Sequence, residues 1–137
     1  REMFTNEGCL FWVAHDAEIR GVVGASRASL EPGKQGDCWV LAPLAVSTKT
    51  HGLGIGGKLV NHLLLDLEAR GALGVFVYGD PNYYGRFGFT REAAESVSAP
   101  FTLEHPEGWT AKWLKPKDTG EKSTLVVEGP LNKPDLW

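Results

Sequence analysis

The stretch VLAPLAVSTKTHGLGIGGKLVNHLLLDLEARG, which runs from Val40 to Gly71, decides the fold of this chain. It contains an apolar run, a short polar loop, a cluster of glycines and apolar residues that recur every three to four positions. These features predict a buried strand, a turn and an amphipathic helix, in that order. The helix is predicted over Gly54–Arg70, and Gly71 follows it as a C-terminal stop. Its apolar face consists of Ile55, Leu59, Val60, Leu63, Leu64 and Leu67.

Strands are predicted on both sides of this helix. Leu10–Ala14 and Glu18–Leu30 lie close together in sequence and predict an antiparallel hairpin. Cys38–Val46 is continuously apolar, which is typical of a central strand that is covered on both faces. Leu73–Tyr78 follows the helix, so the two strands that flank the helix are expected to be parallel.

The rest of the chain carries weaker patterns. Residues 1–8 are polar and predict no regular element. Asn82–Phe87 predicts at most a short helix, and Gly88 and Phe89 are expected to lead into another strand. Two further strands are predicted over Trp109–Leu114 and Ser123–Val127. No repeat or linker divides the sequence, so residues 1–137 are expected to form one α+β domain with a mixed sheet.

Pro43 lies inside the predicted central strand. Proline has no N–H to donate to a sheet ladder, so it is confined to edges and bulges. We therefore expect a bulge here and a local parting of the sheet. Such a parting leaves the backbone of Leu44, Ala45 and Val46 able to bind another partner.

Composition excludes several classes of protein. The chain is 42% hydrophobic and 23% charged, which is ordinary for a globular domain, and its net charge of −3 argues against a nucleic-acid partner. No apolar run approaches the length of a membrane span, and no signal peptide opens the sequence. The two cysteines, Cys9 and Cys38, form no metal-binding motif, and no metal is expected. Two free thiols in a reducing compartment are the simplest interpretation, and this favours the cytoplasm.

The glycine cluster between His51 and Leu59 matches two familiar phosphate-binding patterns in part. Gly52, Gly54 and Gly57 satisfy GxGxxG, which is typical of dinucleotide-binding folds, but five residues separate the first glycine from its strand. The P-loop pattern places Leu59 where a hydroxyl must bind magnesium, and Leu59 also belongs to the apolar face of the helix. We discard the P-loop and keep dinucleotide binding as a minor alternative.

Glycines at a helix start have a physical use that does not depend on either pattern. The first backbone N–H groups of a helix have no internal acceptor, and the helix dipole favours an anion beside them. A pyrophosphate can therefore bind there without side-chain charge. A glycine-rich turn without a ligand is the alternative, but it carries the entropic cost of several glycines.

Two motifs together resemble the GNAT acetyltransferases. LAPLAVSTKTHGLGIGGKLV resembles the family's core, in which a central strand and a short loop precede the signature [QR]xxGx[GA]. Gly54 and Gly56 stand at the two small positions of that signature. GDPNYYGRFGF, which begins at Gly79, resembles the hallmark of the YhbS-like branch and is the more specific of the two.

The resemblance implies an acetyl-CoA-dependent N-acetyltransferase that acts on a primary amine by direct attack. It implies a V-shaped mixed sheet, with the pantetheine arm between the parted strands Cys38–Val46 and Leu73–Tyr78. It also implies that Tyr84, four residues before Gly88-Phe89, is a general acid toward the departing thiolate; a packed aromatic residue is the alternative. The cofactor-binding residues would be Leu44, Ala45, Val46, His51, Gly52, Leu53, Gly54, Ile55, Gly56 and Gly57.

The sequence also departs from the family pattern. His51 replaces the Gln or Arg of the signature, and Leu53 stands where many relatives have Arg, so Lys49 or Lys58 are candidates to compensate. Only residues 1–9 precede the first predicted strand, where the family usually has a strand and helices. The acceptor site would then be open, shared across a homodimer or absent. A catalytically weak or inactive CoA-binding module is therefore the alternative, and neither the acceptor amine nor a general base is identified.

Overall fold

Eight strands form one mixed sheet in the computed structural model, which describes residues 2–6, 9–15, 19–31, 38–46, 54–115 and 122–127. The signature residues His51, Gly52 and Leu53 and the C-terminal Trp137 lie outside the described residues. The strands are β1 (Glu2–Asn6), β2 (Cys9–His15), β3 (Ile19–Glu31), β4 (Cys38–Val46), β5 (Gly74–Tyr78), β6 (Val97–Ser98), β7 (Trp109–Trp113) and β8 (Ser123–Val127). The helices are α1 (Ile55–Ala69) and α2 (Pro81–Gly85), with 3₁₀ turns at Glu92–Ala94 and Pro106–Gly108.

The sheet has the order β1-β2-β3-β4-β5-β7. Along this order, neighbouring strands are antiparallel except β4 and β5, which are joined by α1 and run parallel. β8 pairs with the far end of β3 and with β6. The expected hairpin, parallel crossover and mixed α+β sheet are confirmed.

Two expectations about the strands are wrong, and one further strand was not expected. β1 forms within residues expected to be irregular, and it pairs with β2 from Glu2 opposite Val13 to Asn6 opposite Cys9. A strand therefore precedes the hairpin, and no helix lies before it among the described residues. The two-residue strand β6 was not predicted. The strand expected after Phe89 is reduced to a single bridge between Thr90 and Ala111.

Helix α1 covers one face of the sheet. Gly54 caps its start and Gly71, at φ +84°, ends it in the left-handed conformation that favours glycine. The predicted apolar face is confirmed: Leu59, Val60, Leu63, Leu64 and Leu67 are buried, and Ile55 is partly buried against the same core. Burial of each such side chain contributes about 1.5–3 kcal/mol, so this face holds α1 on β2, β3 and β4.

The opposite face of the sheet has its own core. Phe76 is fully buried there and stacks on Trp109 at 5.3 Å between ring centroids, while Trp113 meets it edge-on at 5.5 Å. The residues after Phe89 cover this face, and the indole N–H of Trp113 donates to the carbonyl of Ala93. Trp109 and Trp113 therefore belong to this core.

Both cysteines are buried and free of disulfide bonds. The described helices include none with the length and apolar character needed to cross a membrane.

Candidate active site

The two central strands of the sheet part at one end. β4 and β5 pair from Cys38 opposite Gly74 to Val40 opposite Phe76. Beyond that point β4 stays paired with β3 as far as Val46, and β5 stays paired with β7 as far as Tyr78. The parallel ladder thus opens into a V, as the resemblance implied.

A bulge in β4 lies at the mouth of this V. Leu44 is opposite Val23 and Leu41 is opposite Ala25, so two residues of β4 face the single residue Gly24. This two-against-one pairing is a β-bulge, which bends the strand that carries it. The bulge expected from Pro43 is confirmed. It lies immediately before Leu44, Ala45 and Val46, the strand residues assigned to cofactor binding.

The first turn of α1 has the backbone geometry of an anion site. Gly54 adopts φ +75° and ψ 15°, and its carbonyl accepts the first helical hydrogen bond from the N–H of Lys58 at 3.0 Å. The preceding amides, from Ile55 to Gly57, have no acceptor inside the helix. No acidic side chain lies in this turn, so the positive end of the helix dipole is not offset there.

Gly56 connects this turn to two other parts of the site. A Cβ atom placed on Gly56 would lie 3.5 Å from Cγ2 of Val46 and 2.6 Å from the hydroxyl of Tyr83. The end of β4, the start of α1 and the helix after β5 therefore meet at one glycine. Because a larger residue would collide with Tyr83, the close approach requires glycine here.

Helix α2 presents two tyrosines to this region. Pro81 lies at the start of α2, and the Asp80 carboxylate caps it by accepting the N–H of Asn82 at 2.9 Å. Tyr83 meets Tyr84 edge-on at 5.1 Å between ring centroids and meets Phe87 at 5.5 Å. The short helix predicted over residues 82–87 is confirmed, although it begins and ends slightly earlier.

Tyr84, the predicted general acid, is half-buried between the site and the core. Its ring lies over Gly79, with Cε2 3.0 Å from the position of a Cβ there, and meets Phe89 at 6.0 Å. Burial raises the pKa of Tyr84 above its ordinary value of 10.0, and the charges of Tyr83 and Asp80 raise it further. A phenol is protonated at neutral pH even at its ordinary pKa, and the raised pKa makes Tyr84 a weaker acid than a solvent-exposed tyrosine.

Two functional candidates were missed from the sequence. Tyr83 places its hydroxyl beside Gly56, and the guanidinium carbon of Arg86 lies 4.6 Å from the centroid of the Tyr83 ring. Both residues belong to the GDPNYYGRFGF motif, but only Tyr84 has an assigned role in the family pattern. The clue in the sequence was that both residues lie within three positions of Tyr84 in this specific motif.

The alternative phosphate-binding patterns agree less well with the structure. Leu59, at the position of the P-loop hydroxyl, is 1% exposed and packs in the core, so this turn lacks the hydroxyl that binds magnesium in a P-loop. Asp80, the first acidic residue after β5, caps α2 and does not lie free for a ribose. The mixed sheet order also differs from the doubly wound parallel sheet of dinucleotide-binding folds.

An open cleft of about 570 Å³ lies on the opposite face of the sheet. Trp109 forms part of its lining, together with Arg91, Glu92, Ala94, Glu95, Val97 and Pro106. Trp109 is thus both a core residue and the wall of a surface cleft.

Comparison with known proteins agrees with this geometry. A model of the acetyltransferase (GNAT) domain matches residues 7–91. The chain is 37% identical over 88 residues to the uncharacterized N-acetyltransferase YjhQ of Escherichia coli K12, a match that covers 64% of this chain and 48% of YjhQ. The chain belongs to the GNAT family of acetyltransferases.

Two solved GNAT structures share the fold over most of the chain. The Escherichia coli protein YhbS, in complex with CoA, matches with a TM-score of 0.75 and 27% identity over 87% of this chain and 67% of its own. A Brucella melitensis GNAT acetyltransferase, in complex with acetyl-CoA, matches with a TM-score of 0.65 and 26% identity over 87% of this chain and 66% of its own. The chain spans about half the length of the curated relative YjhQ.

Proposed function

We propose that this protein is an acetyl-CoA-dependent N-acetyltransferase that transfers an acetyl group to a primary amine. Family membership and the CoA and acetyl-CoA complexes of two relatives support the proposal. The observation that carries it is the V between β4 and β5, which opens beside the Gly54-capped start of α1. An extended arm with amide groups fits a parted strand, and a pyrophosphate fits a helix start.

The residues at the V fit this cofactor. Among the described residues, no heavy atom lies within 4 Å of the position of a Cβ on Gly54, which supports an open approach to the backbone there. We assign the pantetheine arm to the backbone of Leu44, Ala45 and Val46. We assign the pyrophosphate to the turn that comprises His51, Gly52, Leu53, Gly54, Ile55, Gly56 and Gly57.

Acetyl-CoA would supply the acetyl group as a thioester with a thiolate leaving group. The protein would hold the amine and the thioester together in a ternary complex, and this positioning would supply much of the rate. Tyr84 would hold its proton at the phenolic oxygen and donate it to the sulfur as the carbon–sulfur bond breaks. The half-buried position of Tyr84 on α2, beside Tyr83, supports this role.

Two measurements test the proposal. Calorimetric titration of the protein with acetyl-CoA should give saturable binding, whereas NAD should not bind. Turnover should then be sought with a panel of primary amines, for the unmodified chain and for Tyr84→Phe. We expect Tyr84→Phe to lose about 10²- to 10⁴-fold in kcat with an unchanged Kd for acetyl-CoA.

Tyr78→Phe is the matched control for this experiment. The Tyr78 hydroxyl accepts the N–H of His105 at 2.8 Å, and its ring packs on the opposite core, so its removal should leave kcat unchanged. If acetyl-CoA does not bind, the proposal is wrong. Binding without turnover on any amine would favour the CoA-binding module, and full turnover in Tyr84→Phe would remove Tyr84 from the mechanism.

Four further expectations stay predictions. A single domain over 1–137 is supported by the one continuous sheet of the described residues, and a cytoplasmic location by two buried cysteines that form no disulfide. A homodimer and the absence of a nucleic-acid partner rest on the sequence arguments alone. Size-exclusion chromatography with light scattering would measure the oligomeric state.

A further inference from the structure

Arg86 is an exposed cation held beside the start of α1. Its guanidinium carbon lies 4.6 Å from the centroid of the Tyr83 ring and 5.5 Å from that of Phe87. Attraction between a cation and an aromatic face fixes the guanidinium over these rings without using its N–H groups. The five N–H donors of Arg86 lie in the plane of the guanidinium, so they stay available to bind a planar or tetrahedral anion at its edges.

The same two rings lie on the first turn of α1. The Tyr83 hydroxyl approaches Gly56, and Cε1 of Phe87 lies 3.7 Å from the position of a Cβ on Gly57. The rings of Tyr83 and Phe87 thus contact both the Arg86 guanidinium and the first turn of α1, whose amides have no helical acceptor. These shared ring contacts bring together a positive charge, a hydroxyl and backbone N–H groups.

These contacts bear on a question raised by the sequence. The resemblance implies a polar or charged residue at the positions of His51 and Leu53, and Lys49 and Lys58 were the candidates to compensate. A cation near the helix start would add to the attraction that the free amides and the helix dipole already exert on a phosphate. Arg86, which directly follows α2, is a further candidate.

We propose that Arg86, held over the ring of Tyr83, binds a phosphate of the nucleotide end of acetyl-CoA, and that the Tyr83 hydroxyl donates to the same group. This inference rests on the proposed function, because it concerns the same cofactor. The phosphate is either the pyrophosphate at the helix start or the 3′-phosphate of the ribose.

The test is direct binding, measured by calorimetry with the intact chain and CoA as the probe. Arg86→Gln should weaken the Kd by about 10- to 100-fold, the size of effect expected for charge-assisted hydrogen bonds. Arg86→Lys should recover only part of this loss, since lysine cannot bind in a bidentate manner. Tyr83→Phe keeps the ring beneath Arg86, so it should cost less, about 5- to 10-fold.

Arg91→Gln is the matched control. It removes the same charge from an exposed arginine that lines the cleft on the opposite face of the sheet, and it should bind CoA as the unmodified chain does. Lys58→Gln removes the exposed cation on α1, and its Kd for CoA measures how much that lysine contributes in place of Arg86. Unchanged CoA affinity in Arg86→Gln, or equal losses in Arg86→Gln and Arg91→Gln, would overturn the inference.

A second probe, dephospho-CoA, identifies the phosphate. If the loss in Arg86→Gln disappears with dephospho-CoA, Arg86 binds the 3′-phosphate; if it persists, Arg86 binds the pyrophosphate. Either result supports the inference. Failure of the unmodified chain to bind CoA would instead refute the proposed function and the inference with it, so the two failures are distinguishable.

Discussion

The phenolic oxygen of Tyr83 lies 2.6 Å from the point where a Cβ atom on Gly56 would stand. The two residues come from helices on either side of β5, and each limits the other: Tyr83 excludes a side chain at position 56, and Gly56 lets the hydroxyl reach the backbone of α1. The contact brings the GDPNYYGRFGF motif to the glycine-rich turn, although the two are separated by the whole of α1 and β5.

Gly56→Ala should therefore destabilise the protein despite the better helix propensity of alanine. Replacing glycine in a helix gains up to about 1 kcal/mol, but forcing a methyl group into a filled position costs about 1–3 kcal/mol. We expect a net loss of about 1 kcal/mol in the free energy of unfolding, measured with urea. Acetyl-CoA affinity should fall as well, because Tyr83 must move.

Gly57→Ala is the neighbouring control for that variant. Its Cβ would lie 3.7 Å from Phe87, which is ordinary van der Waals contact, so the helix should gain up to about 1 kcal/mol. Adding Tyr83→Phe to Gly56→Ala should recover part of the lost stability, because the colliding hydroxyl is gone. Equal stabilities for the two alanine variants would contradict the contact.

Gly24→Ala should disturb the bulge in β4. Its Cβ would lie 2.8 Å from Cε1 of Phe11 and 2.9 Å from the carbonyl oxygen of Ala42, and a backbone carbonyl inside a sheet cannot easily move. We expect a loss of about 1–3 kcal/mol in the free energy of unfolding and weaker acetyl-CoA binding. Gly85→Ala, with no heavy atom within 4 Å of its Cβ, should change stability by less than about 0.5 kcal/mol. A Gly24→Ala variant as stable as Gly85→Ala would argue against this close packing.

The strands β4 and β8 and the helix α1 were predictable from the sequence because each is specified locally. Cys38–Val46 and Ser123–Val127 have the predicted bounds, and α1 buries the predicted stripe. The strand β1 was not predicted, because EMFTN does not alternate apolar and polar residues and is ordered by pairing with β2. The expected strand after Phe89 failed because Thr90 accepts the N–H of Ala93 with its hydroxyl and turns the chain.

The site was predictable in its backbone and less so in its side chains. Pro43 predicted the bulge, and the glycine cluster predicted the helix start, because both are local properties of the chain. The approach of Tyr83 to Gly56 and the position of Arg86 depend on how α2 packs on α1. That packing is a tertiary property, which no spacing in the sequence encodes.

Asp66→Ala should destabilise the contact between α1 and β2. The indole N–H of Trp12, a residue only 1% exposed, donates to the Asp66 carboxylate. Removing the acceptor leaves a buried donor unsatisfied, which costs about 1–3 kcal/mol. Asp66→Asn keeps an acceptor oxygen and should lose less than half as much in urea unfolding. If the two variants are equally stable, the hydrogen bond contributes little.

The stability of the protein should decline at high pH through Tyr84. Because the pKa of Tyr84 is raised in the folded state, its contribution is complete below the ordinary value of 10.0 and is lost as the pH rises through the folded pKa. The free energy of unfolding should fall as the pH rises above about 10 in the unmodified chain and fall less in Tyr84→Phe. With three tyrosines in the chain, the ultraviolet absorbance of phenolate in the two proteins isolates the Tyr84 titration.

Asp80→Asn tests how the charge of Asp80 affects the titration of Tyr84 without removing the cap of α2. The amide oxygen can still accept the N–H of Asn82 and cap α2, but the negative charge that raises the pKa of Tyr84 is gone. Tyr84 should then titrate at lower pH than in the unmodified chain, with α2 intact. Asp80→Ala loses the cap as well, at a cost of about 0.5–2 kcal/mol. An unmoved titration in Asp80→Asn would mean that burial and the neighbouring Tyr83 raise the pKa of Tyr84 without a measurable contribution from Asp80.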